Sequence, residues 1–402
     1  MAHILSRRTF FQTTAAAALT ARTLAQAQQT QAPKIAGFDE TNAGKVKAAA
    51  WTPFSDRKVK VGIAGYGVCK FGASFGFQNH PNVEVVAATD LNPDACAELA
   101  KVTGAKKTYA SCEEMYAKDR EIEAVFIATD APSHAKLCIE GMKRGLHVAS
   151  AVPAVFGEEQ LELADELLAT VKKTGLVYAL FETTAFRPQC YAMREIYKAG
   201  GFGKMIYTEG EYYHYMDKHI GSYNGWRVGL PPQYYPTHSN GFYTCVTGGS
   251  FTSVSCLAIP SLLPDNQPGK NRYNNPFASE IALFRTSEGG MARMAVSWDM
   301  PGAGGEKGRV YGQKGSFEAR YSGQADISKV AQEKPPLPPG VPAGGHGGSH
   351  GYLSDDFIRA ILLKQKPVCD AACALNTTVS GIYAHMSAMK DGETLKIPQY
   401  AL

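Results

Sequence analysis

Val59-Lys60-Val61-Gly62-Ile63-Ala64-Gly65-Tyr66-Gly67 is the stretch that decides the fold. Val and Ile set among small residues read as a buried strand, and a Gly-x-Gly turn follows with no spacer. In a dinucleotide-binding turn the first Gly permits a tight bend, and the second lets the backbone approach a pyrophosphate. The next helix then aims its N-terminal amides at that anion. The third Gly of G-x-G-x-x-G is absent: Lys70 stands there, and Gly72 comes two residues later. A lone G-x-G is a weak signal, so its weight rests on the surroundings. Further short apolar runs at Val83–Thr89, Ala124–Ala128, His147–Ala149 and Val177–Leu180 read as strands. Between them Pro93–Val102, Ser133–Arg144 and Glu158–Lys173 carry helical spacing, and Asn92-Pro93 is a capping start signal. This alternation predicts a parallel, doubly wound sheet. Asp90 ends the second strand 25 residues after Gly65, near the roughly 20-residue spacing of a ribose-binding acid. A carboxylate there accepts from both ribose hydroxyls and repels a 2′-phosphate, which favours NAD over NADP. The expected cofactor contacts are Gly65, Tyr66, Gly67, Val68 and Asp90.

After about residue 181 the rhythm changes. A helix over Pro188–Ala199 leads into long strand-like runs at Met205–His214, Ser250–Leu257, Glu280–Arg285 and Met291–Trp298. Such runs predict a second, α+β domain built on a large, mostly antiparallel sheet. A Pro/Gly-rich loop is expected from Glu333 to Gly351, then helices near Ser354–Lys364 and Ala371–Met389. The division expected is a signal at 1–27, an arm at 28–57, a Rossmann domain at 58–180 and a substrate domain at 181–402.

The chain has 402 residues, enough for two ordinary domains; 45% are hydrophobic and 19% charged, as in globular proteins. A net charge of +4 without a Lys/Arg block argues against a nucleic-acid partner. No apolar run reaches the roughly 18–20 residues of a membrane span. The nine cysteines include no C-x-x-C pair, so they read as small core residues, and no metal is expected. Ser6-Arg7-Arg8-Thr9-Phe10 resembles a twin-arginine export signal, and Ala25-Gln26-Ala27 a signal-peptidase site. A frayed Ala-rich helix is the plainer alternative. Export predicts a periplasmic protein that folds first and carries its cofactor with it.

Together with the strand-G-x-G start, Ala128-Thr129-Asp130-Ala131-Pro132-Ser133-His134 and Gly145-Leu146-His147-Val148 make residues 58–390 resemble the Gfo/Idh/MocA oxidoreductases. That resemblance implies NAD, a sugar or polyol substrate, a homo-oligomer, and cofactor contacts at Thr129, His134 and Pro153. The family's Glu-Lys-Pro, whose Lys assists proton transfer, is here Ala151-Val152-Pro153. A Val cannot move a proton. The chain is also similar to the NAD-dependent glycoside hydrolase family 109, which lacks that Lys. The similar segments are Gly203–His214, Tyr235-Pro236-Thr237-His238 and Gly344-Gly345-His346-Gly347-Gly348.

His titrates nearest neutrality, so proton transfer at a sugar hydroxyl favours it. His238, in an aromatic, proline-bounded segment, is the first catalytic candidate, with Tyr235 and His214 beside it; a satisfied core His is the alternative. Tyr213 is read with His214 as a sugar platform, though a half-buried strand end is an equal reading. His346 among four glycines, Arg227 and Glu182 are the remaining expected substrate contacts. Glu182 follows the sixth strand, where ligands of open α/β sheets bind. Three functions remain open: C3 oxidation with the hydride returned, giving a glycosidase; a net two-substrate sugar oxidoreductase; and a sugar-binding protein without catalysis.

Overall fold

A computed structural model describes residues 50–302 and 304–402. The export signal at 1–27 and the expected arm as far as residue 49 lie outside the described residues. Among the described residues no helix is long and apolar enough to cross a membrane.

Six strands form the first sheet: β1 (Val59–Ala64), β2 (Val83–Thr89), β3 (Lys107–Tyr109), β4 (Ala124–Ile127), β5 (His147–Ser150) and β6 (Tyr178–Leu180). Their order is β3-β2-β1-β4-β5-β6, and every neighbouring pair is parallel. Helices α1 (Phe71–Ser74), α2 (Pro93–Thr103), α3 (Cys112–Lys118), α4 (His134–Lys143) and α5 (Leu161–Thr174) join them. With helices on both faces, β4 is buried along its whole length, as parallel strands usually are. The Asn92 side chain accepts from the Asp94 and Ala95 amides, so α2 starts where the sequence signals it. Strand order reverses between β1 and β4, which opens a crevice at their carboxyl ends.

The second sheet has eight strands: β7 (Met205–Tyr213), β8 (Phe251–Pro260), β9 (Phe277–Thr286), β10 (Met291–Ser297), β11 (Gly305–Gly312), β12 (Gly315–Phe317), β13 (Tyr321–Gly323) and β14 (Leu395–Lys396). They run in the order β13-β12-β11-β7-β10-β9-β8-β14. Only the β7–β10 pair is parallel. Helices α6 (Pro188–Lys198), α7 (Thr237–Thr247) and α9 (Ala371–Ala388) lie on its inner side. Helix α7 is seated on two strand glycines. A Cβ at Gly210 would fall 2.1 Å from the Ser239 carbonyl oxygen, and one at Gly308 would fall 2.0 Å from the Phe242 ring. The outer side carries Glu209, Glu211, Arg293 and Arg309 in ion pairs, with Leu257, Ile259, Ile281 and Leu283 exposed beside them.

The split at residue 180 is a division of the chain more than of space. Helix α8 (His350–Leu363) returns to the first domain, where Ser354 Oγ donates to the Phe75 carbonyl at 2.9 Å. Phe357 meets Phe77 and Phe181 edge-on, and one buried apolar cluster runs through both sheets. This helix begins four residues before the expected Ser354, at His350, and a helical turn at Gly345–Gly348 replaces the end of the expected loop. No side chain caps that start; packing against the first domain holds it.

Candidate functional site

The crevice at the switch point is a cleft of about 530 Å³ lined by Gly65, Gly67, Asp90, Asn92, Thr129 and Pro132, among others. Gly65 sits at φ +103°, and a Cβ there would lie 2.4 Å from the Ala128 carbonyl oxygen, so only Gly fits. Gly67 has nothing within 4 Å of its missing Cβ, which leaves the open approach a pyrophosphate needs. Asp90 ties the turn together, its Oδ2 accepting from the Tyr66 amide at 2.6 Å and its Oδ1 from the Asn92 amide at 2.8 Å. Each carboxylate oxygen keeps a second lone pair for a ribose hydroxyl. Gly72 takes the part of the missing third glycine: its Cβ would fall 2.3 Å from the Gly65 carbonyl oxygen, so it lets α1 pack against the turn. Lys70, at φ 49°, pairs with Glu98 at 2.6 Å.

The side chains of the other expected cofactor contacts are not among those lining the cleft. The Tyr66 side chain is buried and Val68 is exposed, and neither lines the cleft. His134 likewise does not line the cleft. It is fully buried behind Thr129, its Nδ1 2.9 Å from the Pro153 carbonyl and its Nε2 3.3 Å from the Thr129 carbonyl. It therefore braces the two loops; burial, above all, keeps its pKa below the ordinary value. Pro153 meets it through that carbonyl and does not line the cleft.

Beyond Cys69 a second cavity of about 280 Å³ opens, lined by Ala151, Val152, Tyr212, His214, Arg227, Tyr235, His238 and His346, among others. Helix α7, lowered onto Gly210 and Gly308, presents His238 from its first turn. The His238 Nδ1 lies 3.1 Å from Glu182 Oε1 and 3.9 Å from Glu306 Oε1, which leaves Nε2 for the cavity. Burial alone would depress this imidazole, but the Glu182 and Glu306 carboxylates outweigh it and raise its pKa. Glu182 is likewise opposed by burial, yet His238 and its hydrogen bonds hold it below the carboxylate range. Glu182 is fully buried and does not line the cavity, and its carboxylate holds His238. Glu306, on the inner side of β11, also accepts from Arg187 Nη2 at 2.5 Å and from Thr184 Oγ1 at 2.8 Å.

His346 faces His238 with ring centroids 6.1 Å apart and planes 21° from parallel. Burial, and then the neighbouring His238, His350 and Arg187, push its pKa down to about 3, so it stays neutral. Its backbone is left-handed, φ 51°, between Gly344 and Gly347 at φ 76° and 68°. Lys334 Nζ, pushed down to about 8 by burial, donates to the Gly348 carbonyl at 2.6 Å and pins this loop. Burial pushes the Tyr235 phenol up to about 12, so it remains protonated. His214 is lowered by burial. Arg227 stacks over the Trp226 ring, its guanidinium carbon 4.2 Å from the centroid.

Tyr213 does not face this cavity. Strand side chains alternate, so Tyr213 joins the outer side beside Arg293, while Tyr212 points inward with its ring 4.7 Å from that of His238. The inward parity of Thr208, Gly210 and Tyr212 was the readable signal; Arg187 and Glu306 carried none. Tyr223 stands at the rim of the cofactor cleft. Among the described residues, the one group suited to a metal is Cys245, Cys369 and Cys373, whose sulfurs lie within 4.8 Å of one another, all buried. His214, His238 and His346 line one cavity without forming such a group.

Residues 59–181 match the family profile described as "Oxidoreductase family, NAD-binding Rossmann fold", that of Gfo/Idh/MocA. Glycosyl hydrolase family 109 protein 1 of Bacteroides fragilis (strain YCH46) is 29% identical over 204 residues, 46% of this chain and 42% of that protein. Its namesake in Bacteroides thetaiotaomicron is 30% identical over 204 residues, 46% of this chain and 41% of that protein. The chain thus spans less than half the length of these curated relatives. Levoglucosan dehydrogenase, solved with NADH and levoglucosan, superposes with a TM-score of 0.70 at 17% identity, over 85% of this chain and 100% of that one. A putative myo-inositol dehydrogenase from Sinorhizobium meliloti 1021 gives 0.66 at 16%, over 85% and 100%. These likenesses are of fold. The turn at Gly65–Gly67, the acid at Asp90 and the Ala128–His134 segment are therefore parts of an NAD-binding Rossmann domain that matches the Gfo/Idh/MocA oxidoreductase family.

Proposed function

We propose that this protein is an NAD-dependent enzyme that oxidises a secondary hydroxyl of a carbohydrate, at C3, in the cavity between Val152 and His238. The observation that carries the reading is the buried Glu182–His238 pair opening onto a cavity that adjoins the dinucleotide turn. Gly65, Gly67, Asp90 and Thr129 suit NAD, because nothing crowds the backbone at Gly67 and the acid stands at ribose distance along the chain. When bound, NAD would supply the hydride acceptor. Neutral His238 takes the hydroxyl proton on Nε2, and the imidazolium formed is stabilised by Glu182 and Glu306. Val152 and Ala151 supply only an apolar wall. Tyr235, protonated, donates to the sugar, and Arg227 closes the edge.

The family 109 relatives support the outcome in which the C3 hydride is returned and a glycosidic bond is cleaved. A C3 ketone acidifies the C2 proton, which permits elimination, water addition and reduction back. The dehydrogenase neighbours in fold favour the second reading, a net sugar oxidoreductase. Aryl glycosides and free sugars incubated in deuterium oxide separate the two by NMR. Cleavage with deuterium at C2 and no accumulation of reduced cofactor supports the glycosidase. Oxidised sugar with C2 unlabelled refutes it and leaves the oxidoreductase. A protein purified without dinucleotide, and showing no NAD binding by calorimetry, defeats both.

Residues 1–27 support export by the twin-arginine route; unchanged periplasmic yield from Arg7→Lys/Arg8→Lys would refute it. The exposed Leu257, Ile259, Ile281 and Leu283 support a homo-oligomer through the second sheet. A monomeric mass in light scattering at working concentration would refute that.

A further inference from the structure

His346 and His350 are four residues apart, and their rings meet through nitrogens 2.8 Å apart, His346 Nδ1 to His350 Nε2. One of these two atoms carries the hydrogen. The far nitrogen of His350 decides which. Its Nδ1 lies 3.2 Å from the Ser74 carbonyl oxygen, which can only accept, and 3.3 Å from the Gly345 amide, which can only donate. Gly345 is exposed, so its amide has solvent as an alternative. His350 is buried, 4.2 Å from the Phe75 ring and stacked on it, and its orientation is fixed. The Ser74 carbonyl therefore wins, and His350 Nδ1 holds the hydrogen. Its bare Nε2 then accepts from His346 Nδ1–H, and His346 Nε2 is left as a lone pair on the side of the ring away from His350.

We propose that His350 is a positioning residue that sets the tautomer of His346, making His346 Nε2 a hydrogen-bond acceptor for a sugar hydroxyl in the cavity that His238 shares. The choice of ligand rests on the function proposed above; the tautomer does not. Neutral His238, its Nδ1 held by Glu182, and His346 then both present a bare Nε2, so each accepts from a hydroxyl of the sugar. An ether or a carbonyl oxygen, which can only accept, serves neither of them. The same imidazole links the His346 loop to Ser74, the last residue of α1 behind the dinucleotide turn. Placement of the acceptor is thereby tied to the cofactor domain.

The test is long-range proton–nitrogen NMR of the full chain with labelled histidine, assigned by His346→Gln and His350→Phe. The wild-type protein is expected to show His346 protonated at Nδ1 and bare at Nε2, and His350 protonated at Nδ1. His350→Phe keeps the ring that packs on Phe75 but accepts nothing, so His346 should shift to a mixture of tautomers. Binding of methyl β-glucoside to that variant should weaken about fivefold, the value of one hydrogen bond, with NAD retention unchanged. Wild-type His346 protonated at Nε2 would overturn the proposal whether or not the variant folds. A His350→Phe spectrum with unchanged His346 nitrogens would do the same. If the wild-type protein binds no sugar while the tautomers are as stated, the functional reading fails and the positioning role stands.

Discussion

Replacing Glu182 by Gln keeps the size of the side chain and one carbonyl oxygen, and removes the charge facing His238. The pair is 3.1 Å long, with side-chain exposures of 4% for His238 and 0% for Glu182, so solvent screens little of it. A hydrogen bond to a charged group contributes about 1.5–3 kcal/mol, and that is the expected loss of stability. The larger cost of a broken buried pair, about 3–5 kcal/mol, is not reached. Glu306 remains 3.9 Å from the ring, and the imidazole can shed its proton. The loss depends on pH in a defined way. His238 is held above its ordinary 6.5, so its contribution is complete below that value and disappears as pH climbs through the raised folded pKa. Glu182 is held below its ordinary 4.5, so its contribution is present above that value and disappears as pH falls through the lowered one. The stability gap between wild type and Glu182→Gln is thus widest between 4.5 and 6.5 and narrows on either side. Urea denaturation across that range measures it. Histidine NMR of the variant should show His238 titrating at lower pH, and sugar oxidation should gain its basic limb earlier. An equal stability loss at acid and alkaline pH, or an unmoved His238 titration, would refute the pairing.

His238→Gln should lower turnover about 10²–10⁴-fold while bound NAD is retained; steady-state rates on the NMR-identified substrate check this. Asp90→Ala removes the acceptor for the Tyr66 and Asn92 amides as well as the ribose contact. Calorimetry should show NAD binding at least about fivefold weaker, the worth of one hydrogen bond. Gly65→Ala drives a Cβ to 2.4 Å from a backbone oxygen at positive φ, so its destabilisation should exceed the roughly 0.5–3 kcal/mol of ordinary substitutions, measured by thermal melting. Glu306→Gln breaks a buried, two-bond pairing with Arg187 and should cost about 3–5 kcal/mol in chemical denaturation.

The strand-turn-helix rhythm was readable because parallel strands buried on both faces are short apolar runs, and because a bend such as Gly65 admits one residue type. The same logic extends to Gly72, but its role depends on contact with the Gly65 carbonyl oxygen, which no spacing rule contains. His238 and His346 could be chosen from local chemistry, whereas their charge states could not. Those depend on Glu306, 68 positions from His238 in the sequence, and on Arg187. Tyr212-Tyr213 is a dipeptide of like residues, which hides the strand parity that turns one inward and the other outward. His134 has the composition of a ligand residue, and only its two carbonyl neighbours reveal it as a brace.

The seating of α7 on Gly210 and Gly308 has a genetic consequence. Neither position lines the cavity. Yet any side chain at either one must displace the helix that carries His238. In a survey of inactivating mutations these two strand positions should therefore score beside the histidine itself. They should differ from it in kind. A mutation of His238 removes the imidazole itself, so no change elsewhere restores it. A mutation of Gly308 leaves the histidine present and misplaced, and shortening Phe242 on the facing helix should act as its second-site suppressor.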